Sequence, residues 1–117
     1  MRTAALEALT LHPQDEQARR KLMNGIRDAD PHIRSVVVGL LGPFVTQWLG
    51  AEEVIMGALN DPVPSVRQLA LLMLWEASSS RIADALNIAL HDNDAGIRVQ
   101  AGEFIRQADS PSIATVQ

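Results

Sequence analysis

Apolar residues recur with helical spacing in four segments of the chain, at the same positions relative to an arginine. The arginines are Arg2, Arg34, Arg67 and Arg98. Three and seven residues later the side chain is small or aliphatic: Ala5 and Leu9, Val37 and Leu41, Ala70 and Leu74, Ala101 and Ile105. Residues four apart share one face of an α-helix. The pattern therefore predicts four helices that each bury this face in a core.

Shorter amphipathic segments lie between these four helices. Pro13, Gly50 and the pair Ser79 and Ser80 separate them, as residues that end or start helices do. The whole pattern predicts an all-α protein of seven helices in antiparallel pairs, at residues 2–11, 14–27, 31–42, 51–60, 64–78, 80–91 and 95–108.

The chain is internally repeated. The four arginines are 32, 33 and 31 residues apart, and the last three follow Asp28, Asp61 and Asp92 by six positions. A period near thirty residues is typical of stacked helical hairpins. We expect one domain over 1–117, with a half repeat at 1–12, repeats at about 13–43, 44–78 and 79–108, and a tail at 109–117. Because Ser110 to Ile113 look like the start of another repeat, the chain is either a segment of a longer solenoid or a small protein with half-repeat caps.

The turn inside each repeat carries signals for a helix start. Asp30 and Asp94 stand where an N-cap acceptor belongs, and Pro31 and Pro64 occupy first helical positions, where no amide proton is needed. Val63 takes the N-cap position of the middle turn and has no acceptor. We therefore expect packing to hold the middle turn.

The aligned turns, 26–34, 59–67 and 90–98, resemble the HEAT repeat, in particular the short HEAT-like repeats of phycobilisome lyase subunits. The resemblance covers about residues 14–108, and the short period favours this group over long HEAT repeats. It implies an α-α superhelix, a right-handed solenoid of about three and a half helical hairpin repeats. It also implies a structural ladder of aspartates and arginines that ties neighbouring turns together: Asp28, Arg34, Asp61, Arg67, Asp92 and Arg98.

A second set of positions, two and five residues after each arginine, is expected to line the concave surface by which solenoids bind. In the outer copies these positions hold Ala4, Glu7, Gln100 and Glu103, whereas the middle copies are apolar or glycine. An apolar patch with a polar rim is typical of an interface, and tryptophan often carries binding energy. Trp75, eight residues after Arg67, extends the apolar set of the middle repeats. The sequence therefore predicts a partner-binding surface at Val36, Leu69, Leu72 and Trp75. Three explanations stay open: cover within the chain, for example by 44–49, pairing with a second copy, or a foreign protein partner.

Composition and charge bear on the other classes of function. The chain has no cysteine, a net charge of −4 and no apolar run near the ~20 residues of a membrane span. No signal peptide is recognisable, so a cytoplasmic protein without a membrane segment is expected. His12, His32 and His91 lack metal-ligand spacing, and we predict neither a metal nor another cofactor. Negative net charge also disfavours nucleic acid as a partner, despite the basic run Arg19, Arg20 and Lys21.

No residue combines the role of acid, base or nucleophile with a partner at suitable spacing. The sequence therefore favours a protein without enzymatic activity, a protein-binding or scaffold module that uses the concave face of a solenoid. The resemblance leaves one alternative, an accessory subunit or fragment of a lyase-like or nucleic-acid-binding HEAT protein. That alternative rests on fold similarity, and fold does not determine function.

Overall fold

Seven α-helices make up most of the part of the chain that the structure describes. A computed structural model describes residues 2–109, apart from the side chain of Arg2. Of the predicted tail, Asp109 ends α7, and 110–117 with Ser110 to Ile113 lie outside the described residues. The helices are α1 (Arg2–Leu9), α2 (Glu16–Asn24), α3 (Pro31–Leu41), α4 (Ala51–Ala58), α5 (Pro64–Glu76), α6 (Ile82–Leu90) and α7 (Ala95–Asp109). No strand occurs between residues 2 and 109. The predicted all-helical class is confirmed.

The helix ends lie within about three residues of their predicted positions, and two of the links contain structure that was not predicted. Residues Gly25–Arg27 and Gly42–Phe44 form short 3-10 turns after α2 and α3, where a longer α-helix and an irregular link were predicted. Gly50 has a φ of 91° and precedes α4. This left-handed conformation suits glycine, because it has no Cβ. None of the helices in the described part of the chain is long and apolar enough to cross a membrane.

The helices form two layers. In the front layer α1, α3, α5 and α7 contact one another in chain order. In the back layer α2, α4 and α6 each pack against two successive helices of the front layer. The principal extents are 45 × 33 × 20 Å, and the shortest corresponds to two helices of about 10 Å diameter. The core therefore lies in the seam between the layers.

The predicted core positions are buried in the middle of the chain and more open at its ends. Five of the eight are fully enclosed: Val37, Leu41, Ala70, Leu74 and Ala101. Ala5 is exposed, and Leu9 and Ile105 are half-buried. Their helices, α1 and α7, each contact one neighbour in the front layer instead of two. The apolar pattern alone does not distinguish these end positions from the middle ones.

Aspartate side chains hold the turns. Asp30 accepts the backbone N–H of His32 at 2.9 Å, and Asp94 accepts that of Ile97 at 3.1 Å, which confirms both predicted caps. Val63 begins α5 without a side-chain cap, as expected. Asp61 Oδ1 accepts the N–H of Val63 at 2.9 Å, a bond that Asp28 and Asp92 also make with Asp30 and Asp94 in the other two turns.

Arg67 links two successive turns. Its Nη1 donates to the backbone carbonyl of Asp61, six residues earlier in the same turn, at 2.7 Å. Its Nε and Nη2 donate to the two carboxylate oxygens of Asp92 in the next turn, at 2.8 and 3.0 Å. Nη2 also donates to Oδ1 of Asn93 at 3.0 Å. One guanidinium thus holds its own turn closed and fastens the next turn to it.

Arg34 makes the same contacts one repeat earlier. It donates to the carbonyl of Asp28 at 2.8 Å and to both carboxylate oxygens of Asp61 at 2.7 and 3.0 Å. Arg98 donates to the carbonyl of Asp92 at 2.7 Å, but no carboxylate of residues 2–109 receives its other nitrogens. The resemblance implies a ladder of aspartates and arginines that ties neighbouring turns together. In the structure the aspartate six residues before Arg34 and Arg67 supplies a backbone carbonyl, and the carboxylate that each arginine binds comes from the following turn.

These contacts lower the pKa of two aspartates. Burial of the Asp61 and Asp92 carboxyls favours their neutral forms and raises the pKa. Hydrogen bonds from Arg34 and Arg67, the N–H groups of Val63 and Asp94 and the arginine charges outweigh burial. The pKa of each carboxyl therefore lies below its ordinary value of 3.8.

A second set of polar contacts joins the starts of α4 and α6 in the back layer. Ser79 is buried, and its hydroxyl donates to Glu52 while accepting the N–H of Arg81 at 3.0 Å. Arg81 forms an ion pair with Glu53. Serines before a helix are expected to cap it, and glutamates in a first turn to favour the positive end of the helix dipole. Ser79 does accept a backbone N–H, but the glutamates bind side chains of the next repeat.

We expect Arg67→Ala to lower the free energy of unfolding by ~3–5 kcal/mol, because it leaves the buried Asp92 carboxylate without its partner. Arg98→Ala is the matched control and should cost less than ~1 kcal/mol, since Arg98 is exposed and makes one hydrogen bond within the described residues. Urea unfolding followed by circular dichroism measures both. Equal losses in the two variants would contradict the role given to the link between turns.

Stability should also fall in acid. Because the folded-state pKa of Asp61 and Asp92 is lower than the unfolded value of 3.8, the unfolded chain binds more protons as the pH drops through and below that value. The contribution of these two carboxylates to the free energy of unfolding should be complete above about pH 5 and decrease below about pH 4. The decrease should be smaller in Arg67→Ala, which removes the cause of the shift at Asp92. Urea titrations across this pH range provide the measurement, and an equal acid dependence in both proteins would refute the assignment.

Candidate protein-binding surface

Three of the four residues predicted to bind a partner lie on α5. Leu69, Leu72 and Trp75 are half-buried and pack against the edge of the core. Leu69 lies close to Gly39 of α3, since a Cβ on that glycine would be 4.0 Å from the leucine Cδ2. Val36, one turn before Gly39 on α3, is also half-buried. The apolar side chains therefore follow the exposed side of the front layer instead of being enclosed in the core.

Leu72 and Trp75 line a common groove between α5 and α7, with a volume of about 580 Å³. We call it the aromatic groove. Its other lining residues are Glu76, Ser78, Ile82 and Phe104. Val36 and Leu69 do not line it, so the structure brings together two of the four predicted residues and places the other two beside them.

The floor of the aromatic groove is a pair of stacked rings. The ring centroids of Trp75 and Phe104 are 4.6 Å apart and the planes are inclined by 9°. Phe104 is 8% exposed and joins the core of α7. Phe104 is absent from the predicted surface because it lies outside positions two, three, five, seven and eight after the arginines, from which core and surface are predicted. Phe104 stands six after Arg98, a position that is also apolar at Leu40 and Met73.

The segment 44–49, predicted as one cover for this surface, does not reach the aromatic groove. Trp48 is buried, stacks on Phe44 with centroids 4.0 Å apart, and has the guanidinium of Arg19 5.9 Å from its ring centroid. The segment thus lies against α2. Val45 and Thr46 line a separate groove of about 470 Å³ beside Met73. No residue of 44–49 lines the aromatic groove, so this segment leaves it open.

The end of α5 forms the ridge between these two grooves. Ser78 has a φ of 52°, and the N–H groups of Ser78 and Ser79 donate to the carbonyls of Trp75 and Leu74. This is a Schellman motif, which usually places glycine at the left-handed position. Glu76, the last residue of α5, is exposed and lines both grooves. It is the one titratable side chain among the described residues that line them.

The surface on α7 next to α5 includes an unsatisfied polar atom. Gln100 takes the repeat position that Leu69 holds in α5, and it is half-buried. Its Oε1 is buried and has no hydrogen-bond donor among the described residues. Such an atom has lost hydration without a compensating bond. This position is therefore less well matched to its surroundings than the leucine at the same position one repeat earlier.

The described residues do not meet the requirements of a metal site. Between residues 2 and 109 there is no group of three or more His, Cys, Asp or Glu side chains that could hold a metal ion. The groove residues offer apolar surface, two stacked rings and one carboxylate. These groups suit contact with another surface through burial of apolar area and one charge.

No protein-family model, curated protein or solved structure matches this chain.

Replacing Gln100 by leucine should stabilise the protein by about 1 kcal/mol, because the substitution removes a buried acceptor that has no donor. Gln107→Leu on the same helix serves as control, since Gln107 is exposed and should change stability by less than about 0.5 kcal/mol. Chemical denaturation of both variants tests this expectation. A loss of stability in Gln100→Leu would mean that the amide has a partner in solution.

Proposed function

We propose that this chain is a non-enzymatic protein-interaction module that binds its partner through the exposed side of α5 and α7. The observation that carries the proposal is the open aromatic groove, whose floor is the stack of Trp75 on Phe104. Large rings at an open groove are the groups that contribute most to binding when a partner covers them.

We further propose that the front and back layers are the two faces of an α-α solenoid whose successive turns are short HEAT-like helical hairpins. The chain-order contacts of α1, α3, α5 and α7 support this architecture. The repeated contacts of Arg34 and Arg67 support it as well, because the same bonds recur one repeat apart. In such an architecture the front layer corresponds to the surface that solenoids use for binding.

The aromatic groove is also preorganised in the free protein. Trp75 stacks on Phe104, and the Schellman motif fixes the backbone just after Glu76. Side chains that are already ordered lose less conformational entropy on association. A rigid apolar groove of this size is therefore better suited to binding than the same residues on a flexible loop.

Nucleic acid is a weaker candidate because the basic run on α2 is partly engaged within the chain. Arg19 donates to the carbonyl of Pro13 at 2.8 Å and lies over Trp48, and Arg20 is 3.5 Å from Glu16. Binding to phosphates requires several cations that converge on the backbone. No described feature favours a lyase-like activity, so we do not propose one.

A photo-cross-linking amino acid at position 72 tests the proposal directly. In cells that produce the protein, position 72 should cross-link to a defined protein, whereas position 90, on α6 in the back layer, should not. Leu72→Gln should then weaken binding of that purified partner by more than about tenfold, the equivalent of ~1.4 kcal/mol, because one apolar contact in the groove is lost. Leu90→Gln is the matched control, since Leu90 is 39% exposed and lies away from the groove.

The solution mass over a wide concentration range complements this test. A dimer that Leu72→Gln abolishes would identify a second copy as the partner. The proposal fails if the protein is a monomer and if position 72 cross-links no more specifically than position 90.

A further inference from the structure

Charge near the aromatic groove is unbalanced. Glu76 lines both grooves beside α5, and every other described residue that lines them is uncharged. Glu76 forms no ion pair within residues 2–109, whereas Glu103 on α7 is paired with Arg106. The chain as a whole carries a net charge of −4. A single uncompensated carboxylate thus stands between the two grooves.

The position of Glu76 in its helix adds to the negative potential. It is the last residue of α5, and that helix has no basic residue in its final turn. A helix C-terminus carries the equivalent of about −0.5 elementary charge, so an acidic residue there is unfavourable and a cation is favourable. For the stability of the free protein, a lysine would be the better residue at this position. The carboxylate fits a role in binding a positive charge.

The apolar and acidic groups are adjacent. Trp75 precedes Glu76 in the chain, and both line the aromatic groove with Leu72 and Phe104. A partner that places an apolar side chain over the stacked rings would therefore bring its neighbouring residue close to Glu76. A lysine or arginine there would meet both the carboxylate and the negative end of α5.

We infer that the partner is a basic segment that places an apolar side chain in the aromatic groove and an adjacent lysine or arginine against Glu76. This inference rests on the proposed function and specifies the class of partner. The apolar contact supplies most of the affinity, and the charge selects basic over acidic segments.

Trp75 itself can report the binding. Trp48→Phe leaves Trp75 as the one tryptophan of the chain and keeps an aromatic ring stacked on Phe44. Two synthetic peptides of about 15 residues serve as probes, long enough to form a helix on binding. Both carry leucine on one face; the other face carries lysine in one peptide and glutamate in the other. Titration at low salt follows the emission of Trp75.

The lysine peptide should shift the Trp75 emission and bind more than about tenfold tighter than the glutamate peptide. This preference should shrink in ~1 M salt, where the screening length is about 3 Å. Glu76→Gln should lower the affinity for the lysine peptide by about threefold to fivefold, the range expected for a partly exposed ion pair. Asp84→Asn removes the same charge from the back layer and should leave the affinity unchanged.

The stability of the Glu76 variant separates a binding effect from a folding defect. Glu76→Gln should melt at the same or a higher temperature than the parent, because it removes an acidic group from the C-terminus of α5. Weaker binding together with unchanged or greater thermal stability supports the inference. Weaker binding with a lower melting temperature overturns it, since the loss would then reflect damage to the fold.

The remaining outcomes are equally decisive. Equal binding of the two peptides, or equal effects of Glu76→Gln and Asp84→Asn, would overturn the inference and leave the proposed function intact. The same holds if neither peptide shifts the Trp75 emission while position 72 still cross-links a protein. A dimer that forms through Leu72 would make a second copy the occupant and also overturn it. Only failure of the cross-linking and mass experiments removes the proposed function.

Discussion

The fold depends on a guanidinium that is bonded to two turns at once. Arg67 holds the carbonyl of its own turn and the carboxylate of the next, with both charged groups largely removed from water. A buried ion pair need not stabilise a protein more than apolar residues of the same size, but its geometry is restrictive. Two parallel N–H···O bonds set the distance and the angle between neighbouring hairpins. Arg34 imposes the same geometry one repeat earlier.

The candidate surface depends on this geometry from a distance. Arg67 lies near the start of α5 and Trp75 near its end, about 12 Å apart at 1.5 Å per residue. The ion pair with Asp92 ties the start of α5 to the turn before α7, and the stack on Phe104 ties its end to the body of α7. The two helices are thus held together at both ends of α5. The width of the aromatic groove follows from that arrangement, so a polar contact on one edge of the molecule helps to define an apolar site near the other.

The sequence predicted the seven helices and the buried face of the middle repeats because both follow from local periodicity and capping chemistry. It did not predict which carboxylate each arginine binds, since the spacing along the chain points to the nearer aspartate and only packing brings the next turn closer. It identified Leu72 and Trp75 but missed Phe104, which becomes important through contact with a different helix. The position of Trp48 against Arg19 and Phe44 was equally inaccessible, because a link without periodicity gives no indication of the surface on which it folds.

The polar contacts between turns also bear on how the chain folds. The side-chain bonds that join successive repeats span 25 to 28 residues. Contacts of such short range cost little loop entropy to close, and proteins rich in them fold quickly. Each hairpin can therefore dock on its neighbour without waiting for the rest of the chain. The ends of the stack open more easily than its middle, because α1 and α7 each have a single front-layer neighbour whereas α3 and α5 have two.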